Sequence, residues 1–396
     1  MSRATSLEGG IVEWRDGVLV WGASQIEEAT VEQAQRTARL PFVREPLALM
    51  PDAHVGIGAT VGSVAFMEGA IVPAAVGVDI GCGMIATRTN LLTHQLPDDL
   101  APLLSLIEQR VPAGVGKGHA EAQNDLPETV GMPASQISPR DAAKVTQQFG
   151  TLGSGNHFLE VCLDEDESVW IVLHSGSRGI GNNLAERHIE GAKSLMRRYF
   201  IDLEDPNLAY VAEGTAEFDA YIADMLWAQR YAAANRDKMM TAAMASLIEV
   251  TSEATIELER INCHHNFAAL EHQHGRDGWV IRKGAIRARR DDRGVIPGSM
   301  GTSSYIVTGL GNPASFDSCS HGAGRRLSRT AARRELTAES LGVAMRGKTW
   351  QSDEAEALVD EHPLAYKDVE EVMEAQRDLV RIDHRLRQVL NYKGAR

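Results

Sequence analysis

The stretch Val76-Gly77-Val78-Asp79-Ile80-Gly81-Cys82-Gly83-Met84 constrains this chain more than any other. Apolar residues flank it on both sides, from Ala70 to Ala75 and from Met84 to Ala86, so it belongs to the interior. Its glycines break any helix and favour tight turns. With Pro73 and Asp79 inside it, the run is no transmembrane helix. The fold must therefore bury a turn that carries a carboxylate and a thiol three residues apart. An ionised aspartate there is costly unless something neutralises it. Thiolates suit soft or borderline metals and carboxylates suit hard ones, so the pair suggests a divalent ion held by mixed ligands. The plain alternative is a turn aspartate beside a buried cysteine that acts as a small hydrophobe.

Texture along the chain gives the fold class. Ile11 to Val20 alternates around Asp16-Gly17, and Ala59 to Ala75 is β-rich. Pro97 to Val111 carries Leu100, Leu103, Leu104, Ile107 and Val111 at helical spacing, and residues 112 to 145 read as a polar, irregular surface excursion. Leu159 to Cys162 and Val169 to Leu173 read as paired strands around Asp164-Glu165-Asp166. Asn183 to Glu259 turns helical, strands return at Trp279 to Ile281 and Ser304 to Val307, and Val369 to Leu390 reads as helix. With no internal repeat and no long linker in the 396 residues, we expect one large α+β domain spanning 1–396. A β-sheet core would surround the metal site, with a helical insertion at about 184–260.

Four scattered cysteines and a polar start, Met1 to Gly10, predict a soluble, cytoplasmic, reducing-compartment protein with no membrane association. The formal charge of −14 argues against non-specific nucleic-acid binding. Two local basic runs point the other way. One is Arg282, Lys283, Arg287, Arg289 and Arg290, and the other is Arg325, Arg326, Arg329, Arg333 and Arg334. An acidic body with basic patches at a site fits an enzyme that grips phosphates locally.

The histidines carry the chemistry. His157 follows Gly-Ser-Gly-Asn156, His174 ends the apolar run Val-Trp-Ile-Val-Leu, His264-His265 follows Cys263, and His321 precedes Gly-Ala-Gly-Arg325. Most sit beside glycine at a strand or turn edge. Neutral imidazole is a common metal ligand, and with Asp79 and Cys82 these residues make a metal site the expected reading. Gly176-Ser-Arg178-Gly and Gly322-Ala-Gly324-Arg325 combine free backbone N–H groups with a guanidinium, which suits phosphate oxygens. Neither matches a Walker loop or a dinucleotide fingerprint. A histidine among glycines and arginine can act as a nucleophile on phosphorus.

Taken in order, these motifs resemble the RtcB family of RNA ligases over nearly the whole chain. The resemblance runs from Met50-Pro-Asp52-Ala-His54 through the Asp79/Cys82 turn, Gly-Asn156-His157-Phe158-Leu-Glu160 and Leu-His174-Ser-Gly-Ser-Arg178. It continues through Asn262-Cys-His-His265-Asn266, Arg282-Lys283-Gly284-Ala285, Pro-Gly-Ser299-Met-Gly, His321-Gly-Ala-Gly-Arg325 and Ala-Tyr366-Lys-Asp to Tyr392-Lys393-Gly394.

The resemblance implies that Asp79, Cys82, His157, His174 and His265 bind two manganese ions, with Cys82 as the bridge and His264 outside the set. It implies that His321 takes GMP from GTP, oriented by Asp52. Asn156, Phe158, Glu160, Ser299, Ala323, Gly324, Tyr366 and Lys393 resemble the nucleotide pocket around His321, and Arg178 and Arg325 resemble phosphate clamps. The implied activity joins an RNA 3′-phosphate or 2′,3′-cyclic phosphate end to a 5′-hydroxyl end, in RNA repair or tRNA splicing, with no obligatory protein partner. One position departs from the pattern: many members carry Lys or Tyr where this chain has Ile57. Two other readings use the same residues. One is a binuclear-metal phosphoesterase acting on RNA ends, which would not need His321. The other is a non-catalytic RNA-end-binding protein.

Overall fold

At His265 the chain leaves one β-sheet and enters another. The computed structural model describes residues 3–7 and 10–394. The strand Glu257–His264 edges a sheet that continues through Gly83–Leu92, Ser168–Ser175, Phe158–Leu163, Val380–Lys393, Ser304–Gly309 and Arg293–Ile296. One residue later, Asn266–Gln273 edges a second sheet, next to Arg276–Lys283, Val61–Met67 and Val43–His54. The two sheets thus meet at the residues singled out as metal donors.

Local sequence explains the central strands. Phe158–Leu163 and Ser168–Ser175 are buried along their whole length, as expected for a continuous apolar run with both faces covered. Asp164 closes the turn between them. Its Oδ1 accepts the N–H groups of Asp166 and Ser168 at 3.0 and 2.8 Å, and its Oδ2 accepts Trp170 Nε1 at 2.9 Å.

Two long helices, Arg178–Arg198 and Ala216–Thr251, pack behind the donor turn. The second begins at Thr215, whose hydroxyl accepts Phe218 N–H, an N-cap that satisfies one of the first-turn donors. It approaches the turn so closely that a Cβ at Gly81 would lie 2.9 Å from Gln229 Cα. Gly81 also has φ +73°, so glycine is required there twice over.

Three expectations need correction. The segment 369–390 is helical only over Val369–Glu374, and Val380–Lys393 is a strand of 14 residues. It pairs with Ser304–Gly309 through its first half and with Phe158–Leu163 through its second. The inward positions Leu386, Gln388, Leu390 and Tyr392 recur every second residue. Both partners are distant in sequence, so tertiary pairing overrides the local helical spacing. The excursion 112–145 contains a helix, Pro139–Gln147, capped by Ser138 Oγ accepting Asp141 N–H at 3.1 Å. The helical texture that was expected to reach Glu259 ends at Thr251. The helix expected over 97–111 forms over Ala101–Arg110, with Leu103, Leu104 and Ile107 buried. Among the described residues, no helix is long and apolar enough to cross a membrane.

Candidate metal centre and histidine site

The donor turn is held by backbone pairing. Cys82 N–H donates to Asp79 O at 3.1 Å, and Gly81 N–H to Asn266 O at 2.7 Å. His265 N–H donates back to Cys82 O at 2.8 Å, which locks the sheet crossing against the turn. Gly176 leaves room for the carboxylate, since a Cβ there would lie 2.2 Å from Asp79 Oδ1. Arg236, fully buried on the long helix, donates to Gly81 O at 2.8 Å, Ser175 O at 3.0 Å and Asn262 Oδ1 at 2.8 Å. One guanidinium therefore fastens three segments that carry donors.

The five residues form two groups, Cys82/His174/His265 and Asp79/Cys82/His157, each with ligand atoms within 4.8 Å of one another. Cys82 is common to both. His157 Nδ1 donates to Leu152 O at 2.8 Å and His174 Nδ1 to Asn156 O at 3.1 Å, which turns Nε2 of each ring inward. His157 Nε2 then faces Asp79 Oδ2 at 3.0 Å and Cys82 Sγ at 3.3 Å. His174 Nε2 faces Sγ at 3.2 Å and His265 Nε2 at 3.1 Å. Asp79 Oδ1 is buried without a hydrogen-bond partner among the described residues. Converging lone pairs, a thiol and an orphaned carboxylate oxygen fit divalent cations bound by mixed N, O and S donors.

Charge is tuned by burial. Burial and the Asp79 carboxylate push the Cys82 thiol up, so holding it as a thiolate calls for a cation. Burial alone would raise Asp79, but His157 holds it below the usual carboxylate range. Burial also pushes His174 and His265 well down, which keeps both neutral. His264 points elsewhere: its Nδ1 lies 2.9 Å from Gly81 O, and it stands outside both donor groups.

His321 packs edge-on against His265, with ring centroids 4.9 Å apart. Its Nδ1 lies 2.6 Å from Asp52 Oδ2, and the same oxygen accepts the N–H groups of His321 and Gly322 at 3.2 and 3.3 Å. The Nδ1 contact is close but not well aligned for a hydrogen bond. Asp52 is fully buried, at the end of a strand of the second sheet. Gly324 allows this approach, because a Cβ there would lie 2.0 Å from Asp52 O.

A cavity of about 370 Å³ joins these parts. His321 and the donors Asp79, Cys82, His174 and His265 line it, as do Asn156, Phe158, Glu160, Ser299, Ala323, Gly324, Arg325, Tyr366 and Lys393. His157 and Arg178 face a second cavity of about 700 Å³, which shares Asp79 and Asn156 with the first. Arg178 Nε donates to Thr151 Oγ1 at 3.0 Å. Arg325 is already engaged, donating to Tyr366 Oη at 3.0 Å and Asp360 O at 2.8 Å. Burial pushes the Glu160 carboxyl up to about 8, against the pull of Lys393.

The two basic runs are spent on the fold more than on an open phosphate grip. Arg282 is buried against Glu271 at 2.6 Å, and Lys283 Nζ donates to three backbone carbonyls. Arg329 pairs with Asp360 and Glu361, and Arg333 with Asp360. Glu361 lines the first cavity and also holds Lys393 at 2.8 Å. Sequence reading missed Glu361 and Arg236. The charge of the 325–334 run, with no acid inside it, was the available signal that a distant acidic partner must exist.

Fold and site together define a metal-capable α+β protein with a histidine set against a buried carboxylate. Comparison with known proteins narrows this class. The profile of the family described as tRNA-splicing ligase RtcB matches residues 33–131 and 127–394. The chain is 44% identical over 404 residues to the RNA-splicing ligase RtcB of Escherichia coli K12, covering 96% of each chain. It is 32% identical to the RNA-splicing ligase RtcB of Mycobacterium tuberculosis, covering 87% of this chain and 95% of that one. It is also 32% identical to the tRNA-splicing ligase RtcB of Pyrobaculum aerophilum, covering 88% and 87%. The chain belongs to the RtcB family.

Proposed function

We propose that this protein is a GTP-dependent RNA ligase that seals a 3′-phosphate end to a 5′-hydroxyl end. The observation that carries the reading is the Asp52–His321 pair, which opens into the same cavity as the shared-cysteine donor set. Asp79, Cys82, His157, His174 and His265 hold two manganese ions, which supply positive charge to offset crowded phosphates.

With Asp52 on Nδ1, the lone pair of His321 resides on Nε2. Nε2 attacks the α-phosphorus of GTP, a P–N bond forms, the α–β bridging P–O bond breaks, and pyrophosphate leaves. Asp52 balances the charge that develops on the ring. Asn156, Phe158, Glu160, Ser299, Ala323, Gly324, Tyr366 and Lys393 hold the nucleotide around His321. An oxygen of the RNA 3′-phosphate then attacks the GMP phosphorus and frees His321; a 2′,3′-cyclic phosphate is first opened by water. Finally the 5′-hydroxyl oxygen attacks the activated 3′-phosphorus, gives its proton to solvent, and expels GMP. Arg178 and Arg325 steady the phosphates of the RNA ends.

The test is His321→Ala assayed on 3′-phosphate and 2′,3′-cyclic phosphate RNA with GTP and manganese. The ligase reading requires sealing to vanish. If sealing persists, the histidine assignment is wrong. If wild type only hydrolyses ends, and His321→Ala does so equally well, the phosphoesterase reading replaces it. The same reading places the enzyme in the cytoplasm, acting in RNA repair or tRNA splicing.

A further inference from the structure

The cavity that holds His321 has a second character at its mouth. Ile57, Val78 and Ile189 line it from three separate elements: the loop after Val43–His54, the donor turn, and the helix Arg178–Arg198. Ile57 is 70% exposed and Val78 39% exposed, while Ile189 is half-buried. A single exposed isoleucine is unremarkable, but here three aliphatic side chains line one cavity.

The loop that carries Ile57 is fixed at atomic detail. Gln33, itself buried, donates Nε2 to Gly56 O at 2.6 Å and accepts Gly56 N–H on Oε1 at 2.9 Å. Lys283 Nζ donates to Ile57 O at 2.6 Å, Ala59 O at 2.8 Å and Ala74 O at 2.9 Å. Gly58 has φ +70°, and a Cβ there would lie 3.0 Å from Asn207 O. The Gly56 N–H and the carbonyls of Gly56, Ile57 and Ala59 are engaged inward, which leaves the Ile57 side chain as what this loop presents to the cavity. It also lies next to the chemistry. Val78 precedes the donor Asp79, and Gly284, which follows Lys283, packs so that a Cβ would lie 3.0 Å from His321 Cε1.

We infer that Ile57, Val78 and Ile189 form a shelf for the face of one nucleobase, that of the terminal nucleotide on the RNA strand bearing the 3′-phosphate. This rests on the proposed ligase activity. The strand that takes GMP must bring its phosphate to His321, and the base attached to that phosphate is its nearest flat apolar group. The residues assigned to the GTP guanosine do not include the shelf, and GMP already occupies His321 when this strand arrives. A surface without polar groups covers any base without reading its edge, so the shelf sets affinity for the end and not its sequence.

The experiment uses full-length enzyme with labelled GMP preloaded, and follows discharge of the adduct in single turnover as the 3′-phosphate strand is varied. Ile57→Ser raises the half-saturating concentration of that strand about 5-fold, and Ile57→Tyr lowers it, as expected for weakening or strengthening a stacking contact. A strand with an abasic 3′-terminal nucleotide binds wild type about 5-fold more weakly, and Ile57→Ser then adds no further loss, because both changes remove one contact. Independent, multiplying effects overturn the shelf. So does a flat Ile57 series, or a shift seen only when the 5′-hydroxyl strand is varied. Absence of any adduct in wild type would overturn the ligase reading and the shelf with it; a normal adduct with a flat series overturns the shelf alone.

Discussion

Replacing Asp52 by Asn tests how the buried carboxylate works on His321. All three N–H groups near the carboxylate, those of the His321 ring, His321 backbone and Gly322 backbone, converge on Oδ2. An amide oxygen at that position can still accept the two backbone N–H groups and stay beside the ring, so Asp52→Asn keeps the loop in place and removes the negative charge. The other end of the amide would occupy the site of Oδ1, which is buried with no hydrogen-bond partner among the described residues. In the proposed reaction, attack by Nε2 on phosphorus makes the ring cationic, and in the variant that charge is uncompensated. Two unit charges about 4 Å apart at an effective dielectric of about 20 interact by about 4 kcal/mol, or about 10³-fold in rate. Quenched-flow formation of the labelled GMP adduct should slow by about 10³ with little change in the GTP concentration at half-saturation, because the charge exists only in the transition state. Asp52→Ala also loses orientation, and should be slower still and less stable by about 1–3 kcal/mol. An Asp52→Asn enzyme within about threefold of wild type would refute the electrostatic role.

Gly176→Ala drives a methyl group into Asp79 Oδ1, so, if the proposed two-manganese site is right, calorimetric titration should fall from two ions per chain to one. Arg236→Met leaves Gly81 O, Ser175 O and Asn262 Oδ1 without their donor; we expect a loss of about 3 kcal/mol in chemical unfolding and weaker manganese binding. Glu361→Gln probes acid stability. Burial alone would raise Glu361, but Lys393 and Arg329 hold it down at about 2, below its ordinary 4.5. Its contribution, about 3 kcal/mol, is therefore complete above about pH 4.5 and lost as pH falls towards 2. The stability gap between wild type and Glu361→Gln should close over that window, and a gap that stays constant with pH would contradict the assignment.

The donor turn was legible because its cause is local. Glycines beside Asp79, Cys82 and His174 exist so that the backbone can come close, and Gly81, Gly83 and Gly176 each face atoms that a Cβ would strike. The pairing of Asp52 with His321 lies 269 positions apart and could be read only through the motif resemblance. The strand Val380–Lys393 was not legible, since its alternation becomes decisive only beside its partners Ser304–Gly309 and Phe158–Leu163. The basic runs misled for a related reason. A sequence displays cations and hides their distant counter-ions, here Glu271 for Arg282 and Glu361 for Arg329 and Lys393. Arg236 sits in an Ala- and Met-rich helix, where nothing local distinguishes a clamp from a solvated cation.

In the proposed chemistry His321 Nε2 carries GMP in a site completed by Cys82. The direct measurement is peptide mapping by mass spectrometry after incubation with GTP and manganese under non-acidic quench. An acid-labile GMP mass is expected on the peptide containing His321, absent from His321→Ala and Cys82→Ala enzymes whose unfolding curves remain cooperative. GMP on another residue, or undiminished labelling of His321 in the Cys82→Ala enzyme, would contradict it.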